Sequence, residues 1–382
     1  MINIGEKCVG CRACQQICPK QAITMQENEE GFIYPHINPE KCIKCNLCNK
    51  ICPILKEKQE NLPLEMYACV NKSKETLLKS SSGGFFTVLA EYVLQKDGCV
   101  FGSSFSEDLK VHHIMIEKIE QLDLLRKSKY VQSNTGNTYR EAKEELETGR
   151  LVLYTGTPCQ IAGLKSFLQK DYSNLITIDL ICHGVPSQKL FDAYLRYIGK
   201  GKKITEYNFR DKEWNKIATM ISYKRNNKVK KIKNPNLDPF YYAFSTGKTM
   251  RECCYQCKFA NLHREGDYTI GDFWGIEKYN KKIKSNNGSS LVLINTEKGL
   301  EIFKTYLKNK IEYDKTENRE IEIDNKNLYR PTEKAKEREI IYRDLNHYGF
   351  QYIVKKYCLP ANYIFLRIKS IIPVGIKKII KK

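Results

Sequence analysis

Of the 16 cysteines in the chain, eight fall in two runs with one rhythm. Cys8-x2-Cys11-x2-Cys14-x3-Cys18-Pro19 recurs 34 residues later as Cys42-x2-Cys45-x2-Cys48-x3-Cys52-Pro53. Three thiolates this close together wrap one face of an iron–sulfur cube, and the fourth, before the proline, is carried by a helix toward a second cube. The spacing predicts one [4Fe–4S] cluster on Cys8, Cys11, Cys14 and Cys52, and another on Cys42, Cys45, Cys48 and Cys18. Zinc sites use pairs of ligands rather than such quartets, and a disulfide framework belongs to secreted chains. The implied chemistry is electron transfer.

A second set of thiols is scattered. Cys159 follows an apolar strand and opens a helix, where the free N–H groups favour thiolate. Cys182 also lies just past a strand, and Cys254-x2-Cys257 is a C-x-x-C pair with Cys253 beside it. Three segments ending near one sheet edge could gather Cys159, Cys182, Cys254 and Cys257 around a third [4Fe–4S] cluster. Zinc on the same four thiolates, or unliganded cysteines with a redox-active pair, are the alternatives. C-x-x-C geometry favours Cys254 over Cys253. Cys69, Cys99 and Cys358 stand alone and read as core or surface residues. His183 could hydrogen-bond a sulfur or donate a proton, or be a satisfied histidine in a turn.

Two short segments have the chemistry of a nucleotide site. Ser80-Ser81-Ser82-Gly83-Gly84 opens a helix whose N–H groups and dipole can hold a pyrophosphate, although serines also cap helices for structural reasons alone. Lys127 to Ser133 adds cations, a ring and amide donors. No G-x-G-x-x-G fingerprint is present, so an ordinary dinucleotide-binding domain is not supported.

These residues need a scaffold, and 382 residues supply one. A polar stretch at Lys56–Asn61 and Pro63 separates a dicluster unit (1–58) from a body (64–310) in which strands and helices alternate. Strands are expected near 67–70, 99–102, 111–116, 151–154, 175–180 and 290–295. Helices are expected near 83–96, 138–148, 189–198 and 299–308, and a basic hairpin near 217–234. Each dicluster repeat is expected to be a short hairpin and a helix. A helical, basic extension (311–382) ends the chain. The fold class is α+β: a bacterial-type two-cluster ferredoxin domain, a mixed α/β domain (the flavin-binding domain, on the resemblance given below) and a helical tail.

The formal charge is +20, yet no nucleic-acid motif accompanies it, and nucleic acid is not expected as a partner. No apolar leader precedes Cys8 and no run of 18 apolar residues occurs, so a cytoplasmic location is expected. From Leu345 to Lys382 there is no acid, against eight Lys or Arg. Tyr363 to Lys382 interleaves Ile364, Phe365, Leu366 and Ile368 with Arg367 and Lys369, a pattern suited to peripheral contact with an anionic inner membrane face. A terminal helix packed on the body, or a disordered end, is the alternative. Pro373 and Gly375 break any continuous helix.

The dicluster run followed by SSSGGFFT, SKYVQS, TGTPCQIAGLK, DLICHGVPS, CCYQCKFA and YTIGDFWGI resembles the β-subunit family of coenzyme F-420 (deazaflavin) hydrogenase/dehydrogenase, in order from residue 1 to about 310. The resemblance implies an iron–sulfur flavoprotein that binds FAD. It implies that Ser82, Gly83 and Gly84 receive the pyrophosphate, and that Lys129, Tyr130, Gln132 and Ser133, with Thr155, Gly156, Thr157 and Pro158, lie along the flavin. Cys159, Cys182, Cys254 and Cys257 would hold the flavin-proximal cluster. Asp272 would shape the site, and His183 and Lys129 are the candidate catalytic residues. Relatives act on deazaflavin, tetrapyrroles or sulfite, so coenzyme F-420 itself is not implied.

The expected function is therefore an FAD- and [4Fe–4S]-dependent oxidoreductase. A ferredoxin-like donor passes electrons through the clusters to FAD and on to an unidentified substrate. One rival is an electron-transfer subunit relaying electrons to a partner enzyme. Another is a non-redox protein in which the clusters are staples. A homo-oligomer is left open.

Overall fold

Four adjacent parallel strands at the centre of the largest sheet end on one rim, and the chemistry of the molecule lies along it. The structure, a computed structural model, describes residues 4–57, 62–213, 220–280, 282–283, 286–317 and 321–371.

The dicluster unit contains β1 (Ile23–Glu27) and β2 (Ile33–Ile37), paired antiparallel with Ile23 opposite Ile37. One hairpin is thus shared between the two cysteine runs, instead of one in each repeat. The repeat is visible in the backbone all the same. Gly10 and Arg12 adopt positive φ of 67° and 64°, and Lys44 and Asn46, 34 residues on, adopt 54° and 63°. These left-handed turns curl both cysteine loops inward, and short helices Ala13–Ile17 and Leu47–Lys50 follow them.

The main sheet is built from β3 (Glu65–Asn71), β4 (Cys99–Phe105), β5 (Val111–Ile116), β6 (Val152–Gly156) and β7 (Leu175–Leu180). A three-stranded antiparallel sheet of β8 (Ile204–Asp211), β9 (Met220–Arg225) and β10 (Lys228–Ile232) follows, and then β11 (Tyr268–Asp272), β12 (Ser290–Ile294) and β13 (Ile311–Lys315) return to the main sheet. The main sheet runs β13-β3-β12-β11-β7-β6-β4-β5. The pairs β4–β6, β6–β7 and β7–β11 are parallel. Its central strands begin as buried apolar runs (Cys99–Phe101, Val152–Tyr154, Leu175–Ile176), because both faces are covered there. Val100, Leu153 and Ile176 pack beneath the Phe85–Leu94 helix. Phe101, Val152, Tyr154 and Leu175 face the opposite side, toward the Pro158–Leu168 helix.

That second face also receives the dicluster unit. Val9, Cys11, Ala13, Cys14, Ile23, Ile51 and Cys52 belong to one apolar cluster with Tyr139, Tyr154 and Ile161. The unit expected at 1–58 thus shares a core with the body. Gly31 shows how close the approach is: its φ is +82°, and a Cβ there would sit 2.3 Å from Lys189 Cβ. Phe32 is fully buried among Leu190, Phe191 and Ile341 and meets Tyr342 edge-on at 5.7 Å, a burial worth roughly 1.5–3 kcal/mol.

The expected end of the body at 310 falls inside the sheet, because β13 pairs with β3 (Ile311 opposite Asn71). Beyond it, helices Arg338–Tyr348 and Phe350–Lys356 pack with the Gln188–Gly199 helix in a third region of core. The Arg338 guanidinium, 2% exposed, grips both carboxylate oxygens of Glu30 on the β1–β2 turn. Strand β9 starts at Met220, so 217–219 of the expected hairpin, like 58–61 of the expected linker and everything after Ile371, lies outside the described residues. Among the described residues no helix is long and apolar enough to cross a membrane.

Candidate functional site

The two N-terminal quartets lie in unlike surroundings. Cys18, Cys42, Cys45 and Cys48 line one small cavity, with Cys45 exposed. Cys8, Cys11, Cys14 and Cys52 are all buried. Burial pushes the Cys14 thiol up to about 12, with Cys8 and Cys52 adding their charges, and pushes Cys11 up as well. Each quartet has a backbone N–H aimed at sulfur: Gly10 N donates to Cys8 Sγ at 3.4 Å, and Ala22 N to Cys18 Sγ at 3.3 Å. Such bonds tune a ligated cluster.

The second set does converge. Cys159 sits in the first turn of the Pro158–Leu168 helix, just past β6, and Cys182 two residues past β7. Cys253, Cys254 and Cys257 lie on and just after a short turn of helix, Glu252–Gln256. All five line one cavity of about 590 Å³, together with Val9 and Ile54 of the dicluster unit. Burial raises Cys159, and burial raises Cys182 to about 12; Cys257 adds to both. Cys253 is pulled down by its hydrogen bond with Cys254 and by Arg251, while Cys254 is pushed up by the same pairing. Thiols crowded this way resist ionising together unless a cation compensates them. Among the described residues no three His, Cys, Asp or Glu side chains are spaced to grip a single metal ion.

A second cavity, of about 540 Å³, runs along the C-terminal ends of β6, β7 and β11, where ligands settle in parallel α/β sheets. Ser82, Gly84, Lys129, Tyr130, Gln132, Ser133, Thr155, Gly156 and Thr157 line it, and so do His183 and Asp272. Gly83 and Pro158 do not. Gly83 backs onto the sheet, where a Cβ would lie 2.2 Å from Cys69 O, so its glycine permits strand contact rather than ligand approach. Pro158 lines the five-cysteine cavity. The hydroxyl of Ser82 is engaged, donating to Ser289 O at 2.6 Å.

The two cavities share Val9 and, on the body's side, Thr157, Cys159, Cys182, His183, Gly184 and Val185. At this wall His183 Nδ1 is held by Asn327 Oδ1 (2.9 Å), while its buried Nε2 has no partner among the described residues. Lys129 is pushed down to about 7 by burial, with Lys127 adding, and its Nζ donates to Leu124 O and Arg126 O. That bonding turns its ammonium toward the backbone rather than leaving it as a free proton donor.

Several residues of the site escaped the sequence reading. His113 on β5 bonds Ser133 Oγ through Nδ1 (2.7 Å) and Thr155 O through Nε2 (3.0 Å). Since Thr155 O only accepts, the proton sits on Nε2. Burial holds this imidazole neutral, down to about 4. Arg210, 5% exposed, forks onto Asp272 (2.6 and 3.1 Å) and also reaches Tyr130 Oη and Ser81 O. Asp272 thereby anchors the loop after β11 to both nucleotide-type segments. A polar side chain among apolar strand neighbours was the available signal at His113; nothing in the sequence marked Arg210.

Comparison with known proteins decides the lineage. Residues 149–319 match the family described as the C terminus of the coenzyme F420 hydrogenase/dehydrogenase beta subunit, and residues 7–54 match the 4Fe-4S dicluster domain. Over residues 149–319 the chain is similar to this β-subunit family, and a 4Fe–4S dicluster domain precedes that stretch. The dicluster domain makes it an iron–sulfur electron-transfer protein. Among solved structures, a chain of the F420-reducing [NiFe] hydrogenase complex from Methanosarcina barkeri is similar at 14% identity and a TM-score of 0.46, covering 80% of this chain and 97% of that one. No curated protein matches.

Proposed function

We propose that the protein is an FAD- and [4Fe–4S]-dependent oxidoreductase. Cys18, Cys42, Cys45 and Cys48, half-buried apart from the exposed Cys45, would hold the outer cluster, the one a ferredoxin-like donor or partner subunit could approach. Cys8, Cys11, Cys14 and Cys52 would hold an inner cluster, the five-cysteine cavity a third [4Fe–4S] cluster, and the second cavity a flavin that would take up the electrons. The observation that carries this reading is the shared wall. Two cofactor-sized cavities, one rich in thiols and one in nucleotide-type donors, meet at Cys159, Cys182 and His183.

The residues fit the groups. The Phe85–Leu94 helix opens at Gly84 with no side chain capping it, leaving its first N–H groups for an anion. Arg126 and Lys127 flank that end of the cavity. A bound flavin would accept electrons singly and deliver them in pairs. The protein's part is to position and insulate. His113, held neutral, bonds the Ser133 side chain and the Thr155 carbonyl and so braces two walls; Tyr130 and Phe244, stacked at 4.9 Å, make an apolar wall that excludes water. The unpartnered Nε2 of His183 is placed to hydrogen-bond a sulfur or a reduced ligand at the shared wall.

Anaerobic purification with iron, sulfide, zinc and flavin counted per chain tests this. About twelve irons, twelve sulfides and one FAD are expected for three cubes. About eight irons with one zinc would make the second set structural, and about eight irons without flavin would overturn the reading.

The peripheral membrane contact rests on the Tyr363–Ile371 helix. Tyr363, Leu366 and Ser370 are half-buried, whereas Ile364 (74% exposed), Phe365 (62%) and Ile368 (55%) point outward beside Arg367 and Lys369. Outward apolar groups flanked only by cations suit an anionic bilayer. Co-sedimentation with vesicles containing phosphatidylglycerol should fall at least several-fold in the Ile364→Asp/Phe365→Asp double variant; unchanged partition would remove the contact.

A further inference from the structure

Arg251 is fully buried, yet nothing in the site's expected chemistry needs it. Its side chain reaches three parts of the proposed electron path. Nε donates to Cys8 O (2.6 Å), at a ligand position of the buried quartet. One terminal nitrogen donates to Gln132 Oε1 (3.1 Å) on the wall of the second cavity, and the other to Ile33 O (2.8 Å) at the start of β2. The guanidinium lies over the Tyr34 ring at 4.2 Å. Its backbone is tied as well, with Arg251 N donating to Val185 O, and Cys254 N donating to Arg251 O.

We infer that Arg251 is the positioning residue and fixed positive charge of the inner half of the electron path, seated between the buried quartet and the second cysteine set. This rests on the proposed clusters. Its guanidinium stays ionised at every working pH. Buried, that charge is poorly screened, and it favours the reduced, more negative state of any cluster beside it. One electron leaving one centre and arriving at the next changes each by one unit, with no proton needed. A cation next to two successive centres therefore raises both potentials, and the outer quartet, without this neighbour, stays lower. Electrons are thus drawn inward. The planar fork also holds Cys8, β2 and Gln132 at fixed separation, which a lysine could not reproduce.

The test is a redox titration of anaerobically purified holoprotein followed by electron paramagnetic resonance. Arg251→Met should shift the inner two midpoint potentials downward and leave the outer one in place. Arg251→Lys should restore most of the shift while broadening the signals. Gln132→Glu, which sets a carboxylate against the guanidinium without removing it, should shift the inner centres in the same direction and keeps the test decisive if Arg251→Met fails to fold. Clusters present with all three potentials unmoved would overturn the inference. Iron and sulfide too low for three cubes in the wild type would overturn the proposed function instead.

Discussion

The two N-terminal cysteine runs have the same spacing and the same left-handed turns, yet of the two quartets they form by exchanging their last cysteines, one is core and the other lies nearer the rim. Cys8, Cys11, Cys14 and Cys52 are 5–8% exposed and lie in an apolar cluster with the body's sheet and helices. Cys18, Cys42, Cys45 and Cys48 lie at the outer end of the unit, beside Ile43, which is 57% exposed. A repeat therefore does not imply equal roles. Identical ligand chemistry in unequal dielectrics gives unequal potentials, and the quartet nearer to solvent is the one a donor can approach.

The strongest way to break the comparison is to remove a ligand from each side. Cys14→Ser and Cys45→Ser should each lose about four irons per chain. Only Cys14→Ser should also lower the unfolding midpoint, because it leaves a hydroxyl in a dry core at a cost of about 1–3 kcal/mol. Equal destabilisation by both would remove the distinction. Two further side chains of the dicluster unit, Phe32 in the core shared with the body and Ile43 at the outer rim, give the next contrast. Phe32→Ala should cost about 3–5 kcal/mol in denaturant unfolding, and Ile43→Ala no more than about 0.5 kcal/mol.

A pH profile extends the contrast to the second cavity. His113 ordinarily titrates near 6.5 and is held down to about 4 by burial. Between those values the unfolded chain takes up a proton that the folded chain refuses. Stability is therefore complete above pH 6.5 and falls as the pH drops toward 4, by roughly 3 kcal/mol. His113→Gln, which can still donate to Thr155 O, should flatten that part of the profile; an unchanged acid limb would place the titration elsewhere. A small effect is also expected at Cys99, a fully buried thiol on β4 outside the three cysteine sets. Cys99→Ala should leave the iron count unchanged and cost about 1 kcal/mol.

Ligand spacing along 8–18 and 42–52 could be read directly, because a cube demands that rhythm whatever surrounds it. The central strands were readable in part for a related reason: Leu151 to Tyr154 is apolar without alternation, as a strand covered on both faces is, whereas Thr177 and Asp179 interrupt Leu175 to Leu180 and are buried all the same. The second cysteine set was legible as a list of residues, but its meeting point was not. Cys159, Cys182 and Cys254 converge because parallel β6 and β7 end on one rim and the chain returns to it after an excursion through β8–β10. The sheet runs on past residue 310, where the tail is expected to begin, since β13 completes a sheet edge whose partner strand lies about 240 residues earlier in the chain.

Sequence alone thus determined which atoms can ligate metal, because covalent spacing limits what a loop can reach. Tertiary structure decided which quartet is dry, why Gly83 is a glycine, and that Arg251 stands between the cysteine sets. Those depend on surfaces far apart in the chain that only packing brings within a few ångströms, where burial fixes the strength of every charge and hydrogen bond.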